Sequence, residues 1–348
     1  MADARSKKVF SVLAPLYEEA NYAIDIAATS MREPLGMSDQ IDIPDISELT
    51  VTASGATDTT PQAVTTNALA LNANLEPFIN CRLPALESMQ LLDGKWSSQL
   101  AANAVSMLKN SMDSDFCKYL IERNNTVADH VNVEGESLTA DHVLTAAATL
   151  MDNKGVDESD LVWMMSSWGR ASLANVAGFV PNMTDAGGKV NGLPVVGSLY
   201  GIRVYQSSAV PNGRTLASTA FADAGSDLVI TVASGHGLVI GQKITFATVT
   251  SANDVTTADE ITATTATSIT VASVSHGTAT EAGVVTLSSS ENLLISKSNT
   301  FIAQQGIPSS RIVPLSDSTG SALQISAIWG RVARAGRAVV LGSPKSSI

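Results

Sequence analysis

The sequence predicts an α+β fold: a mixed helix-and-strand host carrying an inserted all-β barrel domain. Three observations lead there. Residues 214–290 hold short β-branched runs, Leu228-Val-Ile-Thr-Val232, Gly241-Gln-Lys-Ile-Thr-Phe246, Ser268-Ile-Thr-Val-Ala272 and Gly283-Val-Val-Thr-Leu287. They alternate with Thr and Ser and are parted by Gly, Asn and Asp, the pattern of strands and turns. Residues 95–123 repeat apolar side chains every four positions, from Trp96 through Leu100, Ala104, Leu108, Met112 and Phe116 to Leu120. Residues 37–81 alternate like two strands around a polar centre.

Each element follows in chain order. Residues 5–30 read as a helical arm with a basic start at Arg5, Lys7 and Lys8. Ile41-Asp-Ile43, Leu49-Thr-Val51 and Ala68-Leu-Ala-Leu71 form a long hairpin around the turn region Ser54 to Pro61, whose tip is expected to be flexible. Two strands have no opposing layer to bury against, so this ribbon needs another surface to lie on. The helix at 95–123, widened by Val105 and Tyr119, spans roughly 40 Å. A second helix runs from Thr139, an N-cap candidate, to Asn153, with Gly155 beyond its end. Leu161-Val-Trp-Met-Met165 reads as a buried strand, Trp168 to Ala177 as a short helix, and Val195-Val196 and Gly201-Ile-Arg-Val-Tyr205 as strands. After the inserted tract, Asn292-Leu-Leu-Ile295, Thr300-Phe-Ile-Ala303 and Ile312-Val313 resume the host, and 323–330 and 338–341 close it.

Composition narrows the function. A 348-residue chain with 45% apolar and 16% charged residues is folded and long enough for two cores. A net charge of −12 disfavours tight nucleic-acid binding, which needs clustered Lys and Arg. Low charge with much Ala, Ser and Thr favours a chain covered in an assembly. Cys81 and Cys117 have neither metal-ligand nor CxxC spacing, so neither a disulfide framework nor a zinc site is expected. No signal peptide is read at the N-terminus and no apolar run is long enough to span a membrane. The charge is polarised: from Glu33 to Asp93 there are nine acids and one base, Arg82, while from Ser290 onward there are six bases and two acids.

No enzyme chemistry is expected. Gly235-His-Gly-Leu-Val-Ile-Gly241 has one residue too many for a dinucleotide fingerprint and sits between strands, so it is read as a turn. No Walker loop, GxSxG elbow or HExxH occurs. His130, His142, His236 and His276 are scattered, and no catalytic, cofactor or metal site is assigned. Asp157 to Asp160 reads as a solvated loop, and Trp163 and Trp168 as core anchors. Arg331, Arg334 and Arg337 are read as subunit contacts rather than a nucleic-acid surface.

In this order, the parts resemble the major capsid proteins of tailed bacteriophages with the HK97 fold. The resemblance implies residues 1–36 as N-terminal arm, 37–81 as E-loop hairpin and 82–136 as P-domain with its spine helix. It further implies 137–213 as the first part of the A-domain, 291–322 as its second part and 323–348 as closing P-domain strands. The inserted barrel at 214–290 makes the organisation most similar to the phage P22 coat protein. Ile230 to Phe246 looks like that protein's I-domain opening, Thr267-Ser-Ile-Thr-Val271 like its later strand, and Gly330 to Leu341 like the family's closing strand.

The resemblance implies a self-assembling virion subunit, forming hexamers and pentamers of an icosahedral head around double-stranded DNA. It also implies assembly in the host bacterial cytoplasm. The implied partners are further copies of the chain, a scaffolding protein, a portal protein, DNA by non-specific proximity and, in some heads, a cement protein, but no membrane. No lysine lies between Lys8 and Lys95, so the E-loop lysine that cross-links some family members is missing. The acids Asp39, Asp42, Asp45, Glu48 and Asp58 are expected to face basic residues of a neighbouring subunit, with Arg331, Arg334 and Arg337 first. The turn at 251–260, with Asp254, Asp259 and Glu260, is the expected contact loop of the barrel. The competing class is a β-rich phage tail or adhesin protein; the spine helix argues against a tail tube.

Overall fold

The computed structural model describes residues 26–33, 39–46, 66–83, 94–152, 154–174, 176–181, 189–190, 193–224, 227–248, 255–272, 282–305, 309–314 and 321–345. Residues 5–25 of the helical arm expected at 5–30, the hairpin tip with Leu49 to Val51, and the side chains of Asp45, Glu48, Asp58 and Asp254 lie outside what it describes.

In chain order, β1 (Thr29–Glu33), β2 (Gln40–Ile46), β3 (Thr66–Asn72) and β4 (Phe78–Leu83) precede helix α1 (Gly94–Arg123). Then come β5 (His130–Val131), α2 (Ala140–Met151), β6 (Leu161–Met165), α3 (Ser167–Leu173), β7 (Phe179–Pro181), β8 (Lys189–Val190), β9 (Leu193–Leu199) and β10 (Ile202–Gln206). Six strands follow: β11 (Thr215–Ala224), β12 (Asp227–Val232), β13 (Lys243–Thr248), β14 (Val255–Thr264), β15 (Ser268–Val271) and β16 (Gly283–Leu287). The chain ends with β17 (Ser289–Ser296), β18 (Thr300–Gln305), β19 (Ser309–Pro314), β20 (Ser321–Ser326), β21 (Trp329–Ala333) and β22 (Ala338–Pro344).

Helix α1 is set by its four-residue repeat. Ala104, Val105, Leu108, Met112, Phe116, Cys117, Leu120 and Ile121 are buried on one stripe, and Met107 on the far side is exposed. That stripe covers one face of an eight-stranded mixed sheet ordered β5-β22-β17-β6-β10-β9-β7, with β8 also paired to β9. Period-two alternation divides the central strands between two cores. Met164, Leu293, Ile295, Ala338 and Val340 face α1, while Trp163, Met165, Leu294, Val339 and Leu341 face α2 and α3. Thr139 caps α2 through a capping box completed by His142. Trp163 is fully buried as expected of an anchor, but Trp168 is not. It opens α3 and is 37% exposed, because α3 buries the opposite side through Gly169 and Leu173.

Strands β11 to β16 close into a barrel ordered β11-β12-β15-β14-β13-β16. Its interior is filled by Phe221, Leu228, Ile230, Ile244, Phe246, Ile261, Ile269, Val285 and Leu287. Phe221 and Phe246 meet at 5.3 Å between ring centres. The expected contact loop at 251–260 needs correcting: Val255 to Glu260 belong to strand β14, where Glu260 pairs with Lys243 and Asp259 with Ile244. The run Thr-Thr-Ala-Asp-Glu has no large apolar residue, so its alternation was invisible until Ile261 supplied the barrel-facing member. Strand β11 was missed for the same reason: Ser218 and Phe221 are its buried residues and Leu216 packs partly against the core, while Ala217 and Ala222 are exposed.

Smaller sheets complete the host. β1 pairs in parallel with β18, which pairs with β21; β4 pairs with β20, which pairs with β19. Residues 29–30, read as the end of the helical arm, are therefore strand, the first two residues of β1. In the terminal segment β20 and β21 lie in separate small sheets, and β22 sits inside the large sheet beside β17.

The hairpin β2–β3 pairs Ile41 with Leu71 and Ile43 with Leu69. Its apolar face packs on Phe301, Ala303 and Val332 of the chain's own β18 and β21. The described base of the ribbon thus finds its supporting layer within the same chain. Leu71 is fully buried there, so Leu71→Ala is expected to cost about 2–5 kcal/mol. The check is urea denaturation together with limited proteolysis, in which the variant should be cut first at the hairpin.

Candidate functional site: the seat of the barrel and the outer face of the hairpin

Residues just outside the two ends of the barrel meet beneath it. Arg214 precedes β11 and Glu291 lies in β17, and both are buried. Arg214 donates from Nε to Glu291 Oε2 at 2.9 Å and from Nη2 to Oε1 at 3.3 Å. The remaining donors reach the backbone of the 235–241 turn, Nη1 to His236 O at 2.5 Å and Nη2 to Gly237 O at 3.2 Å. Gln242 donates to Glu291 Oε1 at 3.4 Å and accepts from Val239 N at 3.0 Å. The planar guanidinium fork thus ties a carboxylate in the host sheet to two carbonyls in the barrel.

The turn held this way has left-handed backbone at Gly235, Gly237 and Gly241. Gly237 is required for more than its φ of +61°: a Cβ there would lie 2.8 Å from Glu122 Cα and Ile121 O. The turn therefore rests directly on the last turns of α1. His236 is buried within it, its Nε2 donating to Thr265 O at 2.9 Å and its Nδ1 accepting from Leu238 N at 3.0 Å. Below, buried His130 donates from Nε2 to Asn124 O at 2.7 Å, at the C-terminal end of α1. Burial pulls the His130 pKa below the ordinary histidine value, with Glu291 opposing that shift and Arg214 adding to it. At the surface, Lys243 of the barrel reaches Glu134 of the host at 2.8 Å, and that hydrogen bond raises the lysine's pKa.

The three C-terminal arginines are engaged within the chain. Arg331 pairs with Asp115 of α1 at 2.9 Å and lies 4.6 Å from the centre of the Tyr119 ring. Arg334 bonds Asn299 Oδ1 at 3.0 Å and Pro44 O of the hairpin at 3.4 Å. Arg337 donates to Lys154 O. Of the hairpin acids, Asp42 is exposed and accepts from Gln40, and the Asp39 carbonyl accepts from Ala73 N. The outer face of the hairpin carries Asp42 opposite Ala70 and Pro44 opposite Ala68, all exposed. Glu260 is exposed on the outside of the barrel opposite Lys243, whereas Asp259 pairs with Ile244 and is half-buried.

Sequence reasoning missed Arg214, Glu291, Gln242 and His236 as a group. The signal was available: Arg214 opens the inserted tract and Glu291 follows it. The two ends of an insertion must approach each other, so opposite charges placed there are a candidate pair. Among the described residues no group of His, Cys, Asp and Glu is arranged to hold a metal, and no helix is long and apolar enough to cross a membrane.

No protein-family model and no curated protein matches the chain. Solved structures similar to it include the capsid of the cyanophage P-SCSP1u, at 14% identity over 94% of this chain and 89% of that one, with a TM-score of 0.48. The mature capsid of bacteriophage PhiM1 is 12% identical over 92% and 86% of the respective chains, with a TM-score of 0.46. The SrpI encapsulin of Synechococcus elongatus is 9% identical over 93% and 88%, with a TM-score of 0.48.

Proposed function

We propose that this chain is a shell-forming structural subunit, the major capsid protein of a tailed bacteriophage with the HK97 fold. The observation that carries the reading is the hairpin. Its apolar face is covered by its own chain, and among the described residues its outer face presents the acid Asp42 and the uncharged Gln40, Asn72, Pro44, Ala68 and Ala70, with no base. An exposed face of one charge sign, on a ribbon whose other face is already covered, suits lateral contact with another copy. Many such weak contacts become strong once a shell closes.

In this reading copies form hexamers and pentamers of an icosahedral head around double-stranded DNA, in the host cytoplasm, with a scaffolding protein and a portal. The barrel takes the place of the I-domain of a P22-like coat protein. The hairpin acids, Asp39, Asp42, Asp45, Glu48 and Asp58, meet basic side chains of the neighbour. Arg311 is an exposed cation on the outward face of the β4-β20-β19 sheet and joins Arg331, Arg334 and Arg337 as a candidate. Such rim pairs set orientation and rate of encounter more than affinity.

The test is expression with and without the cognate scaffolding protein, followed by size exclusion and negative-stain microscopy. Closed shells or ring-shaped capsomers are expected. A monomer that persists with scaffold present would overturn the capsid reading in favour of a tail or adhesin protein.

A further inference from the structure

The seat of the barrel contains two buried imidazoles on the two sides of the same joint: His236 accepts a hydrogen bond that only its neutral form can keep, and His130 lies within the field of the Arg214–Glu291 pair. We propose that the seat is an acid-sensitive latch: protonation of His236 and His130 releases the 235–241 turn from α1 and frees the barrel to move on the host. The inference does not depend on the capsid reading.

The chemistry starts at His236. Its Nε2 carries the hydrogen, because the Thr265 carbonyl can only accept. Its Nδ1 is then a lone-pair acceptor for the Leu238 amide. A proton on Nδ1 turns that acceptor into a donor facing a donor, so the charged ring cannot keep the bond. The turn must open or the ring must leave. The His236 carbonyl also accepts from Arg214, so a moving turn takes one of the guanidinium's partners with it.

His130 supplies the other half. Its Nε2 hydrogen is held by Asn124 O, and Asn124 in turn donates to Leu120 O in the last turn of α1. The charged groups acting on this ring are Glu291 of β17, Arg214 at the barrel entry and Asp129 before β5, and Asp129 is itself paired with Lys154 at 3.7 Å. A positive His130 repels Arg214 and attracts Glu291, and so competes for the carboxylate that anchors the barrel. Around His236 the charged groups are Arg214 and, behind it, Glu291, with the uncharged Gln242 beside them and the backbone of Glu122 beneath Gly237. Acid therefore weakens both ends of one bridge, Arg214 from His236 O and Arg214 from Glu291.

The test is hydrogen exchange on the full chain between pH 7.5 and 5, corrected for intrinsic rates and followed by mass spectrometry over peptides covering 233–242. Protection is expected to hold near pH 7.5 and, below the ordinary histidine pKa of about 6.5, to fall by up to about tenfold per pH unit for each proton taken up, while the interior strands of the barrel stay protected. His236→Asn keeps an oxygen that accepts the amide two residues on, as Asn does in turns, and cannot be protonated. Combined with His130→Gln it should hold the turn closed across the range. Unchanged protection of the wild type between the two pH values would overturn the proposal, and so would a double variant that opens as the wild type does. Should the double variant fail to fold, the single variants decide: each must shallow the pH dependence, and two wild-type profiles would sink the latch.

Discussion

Replacing Glu291 with alanine is expected to cost roughly 3–5 kcal/mol, the penalty for stranding one member of a buried ion pair. Arg214 and Glu291 expose only 5% and 1% of their side chains, so water cannot take over the role of the missing partner. The stranded guanidinium would keep its bonds to the His236 and Gly237 carbonyls while losing its counter-charge. Arg214→Ala should cost as much and should loosen the turn more, since it removes those two donors as well. Urea unfolding of the folded chain reads the loss. A double replacement by apolar residues of similar size, Arg214→Met with Glu291→Leu, is expected to recover most of it, because no charge is then left buried. If Glu291→Ala unfolds within about 1 kcal/mol of wild type, water or another acceptor satisfies the arginine, and the pair is not the anchor of the barrel.

How far the sequence foretold this architecture depends on what each segment had to bury. Helix α1, the capped start of α2 and strand β6 were legible because Leu108, Met112, Phe116 and the run Leu161 to Met165 carry large side chains at helical or continuous spacing. Strands β11 and β14 were not, since among their described residues each fully buries one large side chain, Phe221 or Ile261, and Ala and Thr carry no period. The start of strand β17, ahead of the run Asn292 to Ile295, hid for another reason. Its first four residues, Ser289, Ser290, Glu291 and Asn292, are polar yet wholly buried. Their partners come from distant stretches, Ser166 for Ser290, Ser343 and the Leu341 carbonyl for Asn292, and Arg214 for Glu291. Polarity predicts exposure only when no partner is waiting, and local pattern cannot reveal one more than 70 residues away. The arginines show the converse. Charge polarity along the chain suggested contacts outward, whereas the proximity of β21 to α1 brings Asp115 within reach of Arg331 first.

Trp329→Ala is expected to cost about 3–5 kcal/mol, and its larger effect is to uncouple three parts of the host at once. The indole is buried in the core beneath α1, among the side chains that β20 and β22 also contribute. Arg331, paired with Asp115 of α1, lies 5.5 Å from the indole ring centre. The backbone of Trp329 exchanges hydrogen bonds with Leu75, at 2.9 and 3.1 Å, just after the hairpin. Next to it, Gly330 lets β21 approach so closely that a Cβ would stand 2.2 Å from Asn72 O. Helix, hairpin and C-terminal strand are therefore registered against one another around a single side chain. Alanine leaves the backbone bonds intact but empties the space that fixes their angle. The expected signature is a lower urea midpoint with an unchanged circular dichroism spectrum, and proteolytic cleavage that begins in the hairpin rather than in the barrel. Leu71→Ala should loosen the hairpin alone, without the loss of packing beneath α1 that Trp329→Ala brings. Hydrogen exchange along α1 separates the two: it should rise in Trp329→Ala and stay at the wild-type level in Leu71→Ala. Equal exchange along α1 in both variants would mean that the hairpin base and the helix are not coupled through the indole.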